Sequence, residues 1–197
     1  MQKLTKDAIK KEGLKLFAYR GYDGTTMNDI AKKVGITAPA LYAHFKGKEE
    51  LFCSIYEDLV KEYVGFMDKL INTAKTMDIE AGLYYIFEQY IIDTLRRPET
   101  RSFWTQATLS TPPELRGKFY NHVSKYTIQI RERIETIFAE GIRQGILRED
   151  DPVKMSWSHQ MMRDGFVTWM LTSPEPNKDK YIKAFWNDLW FGLKKSS

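Results

Sequence analysis

Cysteine occurs once in this 197-residue chain, at Cys53, and histidine three times, at His44, His122 and His159. A single cysteine excludes an intrachain disulfide framework and fits a reducing compartment. With no histidine pair at ligand spacing and no cysteine pair, the common zinc arrangements are also excluded. No apolar run approaches the ~20 residues that span a bilayer. The N-terminal MQKLTKDAIKKEG is too densely charged for a secretory leader. A cytoplasmic chain with no membrane contact and no cofactor is therefore expected. Glycine-rich phosphate loops and nucleophile elbows are missing, and the carboxylates have the spacing of helix surfaces. Catalysis has no support, and the chain is expected not to be an enzyme. Proline is confined to seven positions, Pro39, Pro98, Pro112, Pro113, Pro152, Pro174 and Pro176, all at expected helix starts or stops. Strand alternation, internal repeats and low-complexity tracts do not occur.

What is abundant is large apolar surface. Eleven Tyr, eleven Phe, five Trp and eight Met stand in a chain that is 43% hydrophobic. Charge is distributed unevenly. Residues 1–50 carry ten Lys and Arg against six Asp and Glu, so the whole formal charge of +4 lies there, and the remaining residues carry twenty of each sign. A positive head on a neutral body suits contact with a phosphate backbone.

The periodicity predicts an all-α chain of about nine helices. The first runs from about Lys6 to Tyr19 with Thr5 as its cap, burying Ile9, Leu16 and Phe17. A long fourth helix from Lys48 follows with no glycine or proline cluster to separate it from the head, so it reads as a rigid shared strut. Asp78 caps the fifth, and Thr111-Pro112-Pro113-Glu114 reads as a capped start for the seventh, with Thr111 as the cap. Gly145 ends that helix, Asp151-Pro152 opens the eighth, and the ninth covers about Lys178 to Leu193.

Residues 26–45, TMNDIAKKVGITAPALYAHF, carry the clearest local signal. Thr26 and Asp29 form a capping-box pair, Gly35 is free to take a positive φ, Thr37 caps again, and Pro39 lies in the next first turn. Leu41 and Phe45 stand one turn apart and can face a core. Helix, glycine turn and second capped helix is the layout of a helix-turn-helix.

This stretch and its flanks resemble the TetR family of bacterial transcriptional regulators. The matching residues include Ala8-Ile9, Leu16-Phe17, Gly21-Tyr22, Thr25-Thr26, Ile30-Ala31, Val34-Gly35-Ile36-Thr37, Leu41-Tyr42, His44-Phe45, Lys48-Glu49 and Leu51-Phe52. The resemblance implies a three-helix DNA-binding head over residues 3–63 and a ligand-binding and dimerisation body over residues 64–197. It implies a recognition helix from Thr37 to Phe45, about 12 Å long, with Thr37, Ala38, Pro39, Ala40, Tyr42 and His44 facing DNA. Ala38-Pro39-Ala40 offers only methyl and ring surfaces, suited to thymine methyls, so hydrogen-bonded readout falls largely to Thr37, Tyr42 and His44, plus residues of the first helix. Thr26, Lys46 and Lys48 are expected at phosphates.

In the body, Met155, Met162, Phe166, Trp169 and Met170 share one side of the eighth helix, and Trp157 and Met161 lie on another. A helix apolar on two sides is sandwiched. The resemblance assigns one side to a ligand cavity, expected to involve Tyr90, Phe103, Trp104, His122, Tyr126, Met162 and Phe166. It assigns the other to a homodimer contact through Trp157, Met161, Phe185, Trp186, Leu189 and Trp190. The expected partners are an operator duplex, a second copy and a small apolar or aromatic effector, a planar cation among the options. The competing reading is an all-α enzyme or interaction module whose basic head is fortuitous.

Overall fold

The structure, a computed structural model, describes the backbone of residues 2–173 and 180–195 and the side chains of residues 6–117, 126–173 and 180–195. Among the described residues it forms nine α-helices. They are α1 (Gln2–Arg20), α2 (Met27–Val34), α3 (Ala38–Tyr42), α4 (Lys48–Ala74), α5 (Ile79–Arg96), α6 (Pro98–Leu109), α7 (Pro113–Arg143), α8 (Pro152–Thr172) and α9 (Lys180–Leu193). The one β-type pairing among them is an isolated bridge between Leu147 and Lys194. It arises where the chain leaving α7 meets the end of α9: Arg148 N–H donates to Leu193 O and Lys195 N–H to Ile146 O.

Two compact units emerge: Met1–Tyr63 with Arg97–Ser124, and Val64–Arg96 with Lys125–Ser197. In the first, α1, α2, α3 and the start of α4 close around Ile9, Phe17, Ile30, Leu41, Phe45 and Phe52, all essentially inaccessible. α6 packs along α1 and inserts Phe103 into this core. The Phe103 ring lies 4.8 Å from that of Phe52, and Phe52 meets Phe17 edge to face at 5.0 Å. Trp104 stacks edge-on against Tyr56 at 4.8 Å. An Arg97–Glu62 ion pair at 3.1 Å ties the start of α6 to α4 on the surface.

The second unit is built on the buried face of α5, with Leu83, Ile86, Phe87 and Ile91, packed against α8 and α9. Asp78 accepts from Ala81 N–H at 2.8 Å and Asp151 from Val153 N–H at 2.9 Å, so both helix starts are capped by side chains. Gly141 sits where Leu147 and Ile79 close on α7; a Cβ there would stand 2.7 Å from Leu147 Cδ1.

Two local expectations are corrected, and a third is not reached. α1 begins at Gln2, earlier than Lys6, and the Thr5 side chain lies outside the described residues. Thr111 does not cap α7: the helix starts at Pro113, and the buried Thr111 hydroxyl donates to Gln106 O at 3.2 Å, closing the end of α6. The expected start of the ninth helix at Lys178 lies outside the described residues.

Candidate nucleic-acid interface

The helix-turn-helix is held from both ends by caps. Thr26 N–H and its hydroxyl both donate to Asp29 Oδ2, at 3.2 and 2.6 Å, and Asp29 N–H donates back to Thr26 Oγ1 at 3.1 Å. This is a complete capping box. Those hydrogen bonds from Thr26, with help from Arg20 and Lys32 nearby, hold the Asp29 carboxyl below its ordinary range. At the far end of α2, Gly35 takes φ 79°, and the N–H groups of Gly35 and Ile36 both reach Ala31 O at 3.0 Å. A side chain at that φ would strain the turn.

Thr37 then adopts extended backbone and accepts from Ala40 N–H at 3.4 Å, starting α3. α3 is shorter than the expected Thr37–Phe45. Helical structure covers Ala38–Tyr42, and His44 and Phe45 both return to Leu41 O through a terminal turn. The reason lies at its end: Lys46 N–H donates to Glu50 Oε2 at 2.6 Å, and Gly47 O accepts from Leu51 N–H. The chain at 46–47 is thus already committed to opening α4.

Burial divides this segment cleanly. Leu41 and Phe45 are sealed in the core, while Thr26, Thr37, Pro39, Ala40, Tyr42 and Lys46 are exposed; Ala38 and His44 are half-buried. Tyr42 keeps 51% of its surface in water, unusual for a large aromatic with an apolar core one residue away. Lys48 is half-buried and already engaged. Its ammonium donates to Tyr22 O at 2.8 Å and lies 4.3 Å above the Tyr22 ring. It fastens the start of α4 to the turn after α1. Burial is the chief reason the Tyr22 phenol is raised above its ordinary value. Lys10 is also paired, with Asp58 at 2.6 Å, and Lys6 lies 5.0 Å over the Phe45 ring. Lys32 and Lys33, on the last turn of α2, are exposed with Lys46. Sequence reasoning did not single out that lysine pair. The amphipathic pattern of α2, which buries Met27, Ile30 and Ala31, could have identified it.

The residues expected in a ligand cavity divide between the two units. Phe103 and Trp104 belong to the first unit, in the aromatic cluster of Phe17, Phe52 and Tyr56, because the apolar side of α6 packs on α1. Tyr90, Tyr126, Met162 and Phe166 belong to the second, and the His122 side chain lies outside the described residues. Among the residues expected at a dimer contact, Trp157 and Met161 are exposed, Met161 at 66%. Phe185, Leu189 and Trp190 are half-buried. Trp186 is the correction: it is completely buried, 5.6 Å from Phe87 and 5.5 Å from Tyr84. It is core because α9 turns that side toward α5. Phe191, which the sequence reading passed over, is 75% exposed.

No described helix is long and apolar enough to cross a membrane, and no group of His, Cys, Asp or Glu among the described residues could hold a metal ion.

Residues 9–55 match the family model described as bacterial regulatory proteins, tetR family. The chain is 33% identical over 138 residues to the biofilm operon icaADBC HTH-type negative transcriptional regulator IcaR of Staphylococcus aureus, spanning 68% of this chain and 70% of that protein. It is 30% identical over 130 residues to the IcaR of Staphylococcus epidermidis, spanning 66% of each. Its fold matches that of the TetR family transcriptional regulator PfmR from Thermus thermophilus, with a TM-score of 0.73, 25% identity and coverage of 96% and 97% of the two chains. NalD, the secondary repressor of the MexAB-OprM multidrug efflux pump in Pseudomonas aeruginosa, shares the fold at a TM-score of 0.76 and 20% identity, over 100% of this chain and 98% of that one.

Proposed function

The chain belongs to the TetR family of bacterial regulatory proteins, and from that premise we propose that it is a homodimeric repressor released from its operator by a small apolar or aromatic molecule. The DNA-binding domain is residues 3–63, with α6 packed onto it, and the rest of residues 64–197 serves effector binding and dimerisation. α3 enters the major groove. Thr37, Tyr42 and His44 read base edges, Ala38-Pro39-Ala40 lies against thymine methyls, and Thr26, Lys46 and Lys48 sit at phosphates.

The observation that carries this reading is the division of α3. Leu41 and Phe45 anchor it to the core while Thr37, Pro39, Ala40 and Tyr42 are left in water. A short helix pinned so firmly by one side has no packing reason to expose a tyrosine on the other. The second copy is placed against Trp157 and Met161 of α8, the outward side of that helix.

The test is binding to a duplex selected from a random pool, followed by fluorescence anisotropy across a salt series. Affinity is expected to fall steeply with salt, by about 0.9 in log–log slope for each neutralised phosphate. Tyr42→Ala, which removes an exposed side chain, is expected to weaken the selected duplex with the fold unchanged. Indifference to both sequence and that substitution would return the chain to the enzyme or interaction-module reading. Effector release corresponds to a coupling of about 1–3 kcal/mol, a five- to 150-fold change in operator affinity.

A further inference from the structure

Arg163 is a charged side chain in the wrong place for a structural role. It lies on α8 in the second unit, is only 2% exposed, and makes no ion pair among the described residues. Its Nε and Nη1 are buried without a hydrogen-bond partner. The compensation it does receive is a face: the guanidinium carbon stands 4.0 Å from the centroid of the Tyr90 ring on α5. Asp164, the next residue, lies about 100° around the helix, and its buried Oδ1 is likewise without a partner. A guanidinium cannot shed its proton to escape burial, and an uncompensated buried charge opposes folding strongly. Such a group is retained where something negative comes to meet it.

The surroundings say what kind of molecule that is. One turn before Arg163, His159 is fully buried among Phe87, Phe138 and Trp186, with ring centroids 5.9, 5.9 and 6.1 Å away. Its Nε2 bonds Leu83 O at 3.1 Å, so the neutral ring donates there and leaves Nδ1 as a lone acceptor. Burial, with the Arg163 charge beside it, lowers its pKa to about 3, so it adds no second positive charge. Trp186 Nε1 is a further buried donor without a partner. Polar groups left open in an otherwise aromatic interior suit a ligand with an apolar body and one polar end. Tyr90, whose ring covers the guanidinium, is itself only half-buried.

We propose that the second unit binds an organic acid, an aromatic or aliphatic body carrying one carboxylate, and that Arg163 receives the carboxylate. The inference rests on the reading of this unit as the effector-binding part and narrows the effector to anions. It displaces the planar cation that the aromatic content alone suggested, because a cation would meet the buried guanidinium.

The experiment uses the full chain and a matched series of probes: benzoate, phenylacetate and octanoate, each beside its uncharged amide, with acetate as the acid lacking a body. Binding is read by thermal shift and by calorimetry. The wild-type chain is expected to bind at least one of the larger acids about tenfold or more tightly than its amide, the margin of a charge-assisted hydrogen bond. Acetate should bind more weakly than that acid. Arg163→Met, which fills the same volume without charge, should stay folded and lose the preference for acid over amide. Arg163→Lys should keep part of it. If the amides stabilise as well as the acids, if no acid stabilises at all, or if Arg163→Met keeps the preference, the proposal is overturned. Operator affinity measured on the same samples separates the two readings. An acid that binds through Arg163 without changing DNA affinity leaves this site standing and removes its role as the release switch.

Discussion

Lowering the pH from about 7 to about 5 should protonate His159 in the unfolded chain and leave it neutral in the folded one. The ring is fully buried, and burial and the Arg163 guanidinium outweigh the Leu83 hydrogen bond, bringing its pKa from 6.5 to about 3. A histidine depressed in this way contributes stability that is complete above its unfolded value of 6.5. That contribution drains as the pH falls toward about 3, because the unfolded state takes up the proton first. At about pH 5 the unfolded chain is about 1.5 units below its pKa, and at ~1.36 kcal/mol per unit the loss is about 2 kcal/mol. With a urea dependence of about 2 kcal/mol per molar, the unfolding midpoint should drop by about 1 M between the two pH values. The assay is urea unfolding followed by circular dichroism, at one fixed protein concentration so that association does not enter. His159→Gln removes the titration while keeping an amide able to donate to Leu83 O. The variant starts less stable, yet its midpoint should move far less between the two pH values. Equal pH shifts in wild type and variant would refute the claim that His159 is held neutral in the fold.

Phe103→Ala should cost about 3–5 kcal/mol in the same unfolding assay, because it empties a sealed site between Phe52 and Phe17. Gly35→Ala should cost about 1 kcal/mol, since its φ of 79° places a Cβ in the left-handed region, and Gly47→Ala, with open space around it, serves as the comparison. Thr26→Ala should lose about 1 kcal/mol by dismantling the capping box, visible as faster amide exchange in α2. Trp157→Glu together with Met161→Glu should leave the helical spectrum intact and shift sedimentation toward monomer; a dimer that persists would place the contact elsewhere.

The parts of this chain that could be read from sequence are those whose chemistry is local. The caps at Thr26, Thr37, Asp78 and Asp151 and the left-handed Gly35 each follow from a residue and its next three neighbours. What escaped was decided by partners distant in sequence. That Phe103 and Trp104 join the first unit is decided by the packing of α6 on α1, a partner that aromatic density alone does not name. Trp186 looked like an interface residue for the same reason, since an apolar helix at the end of a chain has two ways to be covered. Arg163 carried no signal, because an arginine on a helix reads as surface until its neighbours are known. Thr111-Pro112-Pro113 matched a capping pattern, but the preceding helix claimed the threonine first.

The helix that supplies Phe103 has a bearing on how freely this reader of DNA could be moved between proteins. A piece ending at Tyr63 would hold every residue of the helix-turn-helix and yet lack the ring against which Phe52 rests. Its core would open on one side, exposing Phe17, Phe52 and Tyr56 together, a patch prone to aggregation. Grafting the head onto another body therefore means carrying α6 with it, or repainting those three aromatics for water. Exchange of heads between proteins of this design is constrained by a helix that lies outside the helix-turn-helix, more than thirty residues beyond the apparent boundary.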